Sequence, residues 1–113
     1  MILLLAAQLL QPEALPPAME PALNEYGGCI FASIGAALQE KHGTKLKRRI
    51  DAAFDSCQKV REASVAKAEA ALSHDPRFTN VSYRKVFVAN RFDGLDAMAR
   101  ETADGAFDPD NWK

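Results

Sequence analysis

The chain has 113 residues, 48% hydrophobic and 26% charged, with six glycines, six prolines and two cysteines. That length sets a single domain, and a hydrophobic fraction rich in alanine, with few β-branched residues and nine aromatics, favours helices packed through small side chains. The net charge of −1 conceals an internal polarity: residues 1–44 sum to −3, residues 45–92 to +6 and residues 93–113 to −4.

Ile2 through Leu10 form a nine-residue apolar run interrupted only by Gln8. The run falls far short of the ~20 residues a membrane-spanning helix needs and fits the ~7–15-residue apolar core of a secretory signal. Residues 1–18 are therefore expected to be a signal peptide removed after Ala14 or Ala18. Against this, no Lys or Arg precedes the run and no Ala-x-Ala marks a cut. The alternatives are an apolar first helix packed on the domain or a misassigned start. Tyr26-Gly27-Gly28-Cys29 carries the small pair of a lipoprotein processing site, but Glu20, Asn24 and Glu25 stand where the apolar core of such a signal belongs, which excludes it.

Pro16, Pro17 and Pro21 end whatever precedes them, and Pro21 suits a first helical turn. Leu23, Tyr26, Ile30, Ile34, Ala37 and Leu38 then recur at the spacing of one helix face. Lys41 and His42 suit the negative helix end, and Gly43 is placed as a C-terminal cap, so the first helix is predicted over about 21–42. Thr44 is a candidate N-cap. Leu46, Ile50, Ala53 with Phe54, Cys57, Val60 and Ser64 continue by threes and fours into Val65, Ala68, Ala71 and Leu72. No Gly or Pro occurs between Gly43 and Pro76. The second helix is predicted as one piece over about 44–74.

Two long helices joined by so short a turn lie antiparallel, and residues equidistant from the turn face each other. Cys29 lies fourteen residues before Gly43 and Cys57 fourteen after it. A disulfide needs Cα atoms within ~4.4–6.8 Å, closer than the usual ~8–10 Å between helix axes. Gly28, Ala32, Gly35 and Ala36 are the small neighbours expected to allow that approach. The prediction is a Cys29–Cys57 staple rather than two buried free thiols.

Asp75-Pro76 breaks the second helix. Val81, Tyr83, Val86, Phe87 and Val88 suit a strand by residue type, but nothing else in the chain would pair with one. Read as a helix over about 80–103, capped by Thr79 or Asn80, the segment aligns Val81, Val88, Phe92, Leu95, Met98 and Ala99, with Arg84 interrupting the face and Asp93-Gly94 as a candidate kink. The predicted fold is all-α: a long antiparallel hairpin covered by a third helix, with residues 19–103 as the domain and 104–113 as an acidic tail.

No stretch carries a catalytic motif. Zinc is excluded because His42 lies thirteen residues along a helix from Cys29, about 20 Å, and His74 lies farther from Cys57, too distant for ~2.0–2.3 Å bonds to one ion. A redox role is disfavoured because both cysteines sit mid-helix rather than in Cys-x-x-Cys at a helix start. Lys59 and Arg61 lie near Cys57 in sequence, and Arg61, one turn on, would favour a thiolate if exposed. Ser33, Ser56, Ser64, Ser73 and Ser82 lie in no nucleophile elbow, and Gly27-Gly28 has no phosphate-loop continuation. The expectation is a non-enzymatic protein without cofactor or metal.

Lys41, Lys45, Lys47, Arg48 and Arg49 cluster at the hairpin tip, four of them at a helix start where the macrodipole disfavours cations. A solvated surface is the plain explanation. An anionic partner is the functional one: a nucleic acid, a membrane surface, an acidic protein segment, or the chain's own Asp93, Asp96, Glu101, Asp104, Asp108 and Asp110. The leading reading is a small exported protein, periplasmic or secreted, acting as a binding or structural accessory. The alternative is a cytoplasmic protein that binds nucleic acid or another anionic partner through the basic tip.

Overall fold

The computed structural model describes residues 15–39 and 46–105. Among these, every regular element is helical and none is a strand. A short 3-10 turn, Pro17–Met19, leads directly into α1, Glu20–Gln39. Then come α2, Leu46–Ser56, α3, Gln58–Leu72, a second 3-10 turn, Pro76–Phe78, and α4, Val81–Gly105. The expected signal segment, the turn at Gly43 and the acidic tail beyond Gly105 lie outside the described residues.

Local chemistry sets the boundaries. Pro16 holds the extended backbone that precedes the first turn, and Pro17 occupies its start, where a missing N–H costs nothing. Asp75 accepts the Arg77 backbone N–H at 2.9 Å and the Arg77 guanidinium at 2.8 Å, closing the turn that stops α3. These side-chain and backbone hydrogen bonds hold the Asp75 carboxyl below its usual pKa. Asn80, rather than Thr79, caps α4: its Oδ1 accepts the Tyr83 N–H at 3.0 Å. Arg84 reaches back to the Phe78 carbonyl at 2.9 Å, and Phe78 packs its ring on Phe87 at 4.7 Å and on Tyr83 at 5.6 Å.

The predicted second helix is divided. Cys57 has φ −97° and ψ 3°, outside the helical basin, and its N–H is shared between the carbonyls of Ala53 at 3.3 Å and Phe54 at 3.2 Å. The interruption falls on the cross-linked, fully buried residue. The buried stripe nevertheless continues across it: Leu46, Ile50, Ala53 and Cys57 are buried before it and Ser64, Ala68 and Leu72 after it, while Val60 is exposed. In α4 the expected Val88, Phe92 and Ala99 are buried, and two positions of the expected face differ. Val81 and Met98 are half exposed, at 51% and 55%, and the buried face is Phe87, Val88, Phe92, Ala99 and Ala103. Gly94 does not break α4, which runs without interruption.

The core is one cluster. Met19, Tyr26, Ile30 and Ile34 meet Leu46, Ile50, Cys57 and Leu72 on one side and Phe92 with Val88 on the other. Six alanines are buried with them: Ala22, Ala37, Ala53, Ala68, Ala99 and Ala103. The small side chains hold the molecule to 19 Å in its thinnest dimension, about two helix layers. Ser64 is fully buried in α3 and its hydroxyl has no hydrogen-bond partner. Leaving a buried hydroxyl unsatisfied costs roughly 1–3 kcal/mol. Ser64→Ala is therefore expected to raise stability by about 1 kcal/mol, measured as the shift in urea midpoint at constant slope; a loss of stability would contradict that account of the site.

Candidate functional site

The structure brings the two cysteines together at disulfide distance, with Cα atoms 6.0 Å apart. Cys57 is fully buried and Cys29 half-buried. Ser33, one turn beyond Cys29, sets its hydroxyl 3.4 Å from the Cys57 sulfur. The expected small neighbours are not what permits this approach: Gly28, Ala32 and Ala36 are not buried, and a Cβ built on Gly35 would meet nothing within 4 Å. Ala53 and the α1 residues Ile30 and Ile34 pack there instead.

The basic tip is only partly in view. Lys41 and Lys45 lie outside the described residues. Lys47 and Arg48 are exposed at the start of α2. Arg49 is used structurally, since its Nε donates to the Ala37 carbonyl of α1 at 3.2 Å. The acidic segment does not meet this tip through the aspartates that the structure places in contacts. Asp93 and Asp96 turn to Arg61 on α3, and Asp51 on α2 takes Arg100 at 3.2 Å. Asp108 and Asp110 lie outside the described residues.

Arg61 is the polar centre of the bundle. Its Nε donates to Asp96 at 3.0 Å and its terminal nitrogen to Asp93 at 2.8 Å. Its guanidinium also stands 5.8 Å from the centre of the Tyr26 ring and 5.9 Å from that of Phe92. The Tyr26 hydroxyl donates to the other Asp96 oxygen. Arg61 is therefore engaged by carboxylates rather than placed to stabilise a thiolate at Cys57. Burial works against its charge, but Asp96, with Tyr26 and Asp93 adding to it, holds the guanidinium pKa above its usual value. Burial, then the hydrogen bond to and charge of Asp96, push the Tyr26 phenol well above its ordinary 10.0.

On the opposite flank α4 stands away from α1. An open groove of about 740 Å³ runs there, with Leu15, Leu23 and Phe31 on one wall, Leu95 and Met98 on the other, and Asn24, Asn90 and Arg91 at its rim. Gly27, Gly28 and Gly94 form part of its lining. A Cβ on Gly28 or Gly94 would meet nothing within 4 Å, so these glycines leave open space rather than allow close packing. Sequence reasoning misses the groove. Its signal is a second stripe at steps of four, Leu23-Gly27-Phe31 on one helix and Asn90-Gly94-Met98 on the other. Among the described residues no three His, Cys, Asp or Glu side chains gather as a metal site, and no helix is long and apolar enough to cross a membrane.

The Tyr26 shift carries a sign. A phenol whose pKa is raised on folding contributes stability that is fully present below its unfolded value and lost as pH rises past it. Stability should therefore fall as pH climbs above about 10. In a Tyr83→Phe background, phenolate absorbance should appear only together with loss of helical circular dichroism. Reversible phenolate formation near the ordinary tyrosine value, with helicity intact, would contradict the buried contact.

No protein-family model, curated protein or solved structure matches the chain.

Proposed function

We propose that the chain is a small, exported, non-enzymatic binding protein whose α1/α4 groove seats an apolar helical segment of a polypeptide. The groove carries this reading. Its volume falls within the ~300–1,000 Å³ typical of binding sites, and Phe31 and Met98 stay exposed beside it. Its stripes, Leu23 to Phe31 and Asn90 to Met98, each extend about 12 Å along a helix axis, the length of two turns of a docked helix. Seating an amphipathic helix in an apolar groove is a recurrent mode of peptide recognition.

The reading of an exported chain is supported by the cysteine pair, since such staples persist in oxidising compartments. Of the two expected cut sites, the packing favours Ala14. Leu15 packs against the core and Pro16 is buried, so removal through Ala18 would strip both from the fold. The basic tip supports the alternative reading less, because Arg49 is committed to the end of α1.

Intact mass of protein recovered from an oxidising compartment tests the exported reading and its cysteine staple. The expected result is a chain beginning at Leu15 that gains two hydrogens on reduction by a dithiol. A full-length mass with two free thiols would contradict it.

A further inference from the structure

A disulfide exchanges when a thiolate attacks one of its sulfurs and the other sulfur leaves, so the course of the reaction depends on which sulfur a thiol can reach. The Cys29–Cys57 pair is unequal in this respect. Cys57 is fully buried within the core, whereas Cys29 is half-buried against its edge. The α1 residues Gly28 and Ala32 beside Cys29 are exposed and small, and they give it little cover. The leaving side is furnished as well. The Ser33 hydroxyl stands 3.4 Å from the Cys57 sulfur. Ser56 lies farther off, at 3.9 Å, and donates to the Ala53 carbonyl at 2.8 Å. Ser33 is therefore the hydroxyl placed to donate to a thiolate released at Cys57. Arg61 takes no part, being engaged by Asp93 and Asp96.

We infer that the cysteine pair is a thiol-exchange site that opens from one side: a small thiol attacks Cys29, and Cys57 leaves beside Ser33. The inference rests on the cysteine staple and not on the groove. In the step itself the entering thiolate forms a bond to the Cys29 sulfur. The Cys29–Cys57 bond breaks, and its electron pair leaves on Cys57, which takes from solvent the proton that the entering thiol gave up. One disulfide replaces another, with no net oxidation. Attack of Cys57 on Cys29 reverses the step, expels the thiol and restores the staple. Where the entering molecule is a dithiol, its second thiolate attacks its own bound sulfur. It then departs as a disulfide and leaves both cysteines reduced. While Cys29 carries the thiol, α1 and α3 are no longer joined, so an external thiol controls the main covalent constraint on the hairpin.

Glutathione serves as the probe. Brief exposure of the oxidised chain to the reduced form without denaturant, an acid quench and peptide mass mapping should find the adduct on Cys29, with Cys57 as the free thiol. In the single variants, oxidised glutathione should modify Cys57→Ala at Cys29 and leave Cys29→Ala unmodified while circular dichroism shows it folded. Adducts shared equally between the cysteines, or formed only where the chain is unfolded, would overturn the inference. The unaltered chain carries this test even if a single variant does not fold. Ser33→Ala should slow reduction of the oxidised chain by dithiothreitol roughly three- to tenfold, the loss of one hydrogen bond to the leaving sulfur. Ser33→Thr, which keeps the hydroxyl, should restore the rate, and an unchanged rate in Ser33→Ala would contradict the role given to Ser33. Two free thiols in the recovered protein would remove the staple and the inference together. A staple that is present with Cys29 unreactive removes the inference alone.

Discussion

One guanidinium joins α4 to both α1 and α3. Arg61 projects from α3 into the place where α1 and α4 converge, where it meets Asp93 and Asp96 of α4 and the rings of Tyr26 and Phe92. Removing a charged pair from water costs several kcal/mol unless its hydrogen-bonding capacity is met. Here Asp96 receives both Arg61 and the Tyr26 hydroxyl, so one carboxylate serves all three helices. The other flank of α4, bearing Asn90, Gly94 and Met98, lines the groove it shares with α1. Arg100 repeats the arrangement farther along, with Asp51 at 3.2 Å and its guanidinium 4.1 Å from the centre of the Phe54 ring, fixing α4 over α2 as well.

The other constraint is the cysteine pair within the hairpin. A cross-link closing a 28-residue separation contributes roughly 3–4 kcal/mol by the chain-entropy model. That is a large share of the ~5–15 kcal/mol typical of a domain. Stabilisation of this size suits a thin molecule whose core relies on alanine, since each buried alanine removes little apolar area from water. The surface ion pair of Lys67 with Glu25 at 2.9 Å adds little beside it, both side chains being more than half exposed.

Much of this is legible in the residues. The repeats at three and four locate the helices, the prolines and Asn80 mark their limits, and the symmetry of Cys29 and Cys57 about Gly43 anticipates their meeting. What escapes is the break itself. Periodicity assumes an unbroken helix, and nothing local marks the break at Cys57. It falls where the cysteine meets a partner 28 residues away; the buried stripe runs on through it, with Val60 alone of its positions exposed. In α4, hydrophobicity alone puts Val81 and Met98 inside, whereas both are half exposed and Ala103 joins the expected Val88, Phe92 and Ala99 on the buried face. The charge polarity is visible as a basic middle and an acidic end. Among the described residues Asp93 and Asp96 meet Arg61 on α3, because pairing across helix faces depends on rotation about the axis, which a charge count does not contain. The groove is hidden for a related reason. In a sequence, Gly28 and Gly94 register as weak points of a helix, not as open space beside it, where an added Cβ would meet nothing within 4 Å.

The central claim is that the Arg61–Asp96 contact holds α4 in place. A double-mutant cycle with Arg61→Ala and Asp96→Ala, read by urea denaturation, measures it most directly. Both side chains are about three-quarters shielded from solvent, 22% and 25% exposed. A coupling energy of about 2 kcal/mol is expected, in the upper part of the range for residues in direct contact. Additive effects, with coupling below about 0.5 kcal/mol, would contradict the account and leave the placement of α4 to apolar packing alone.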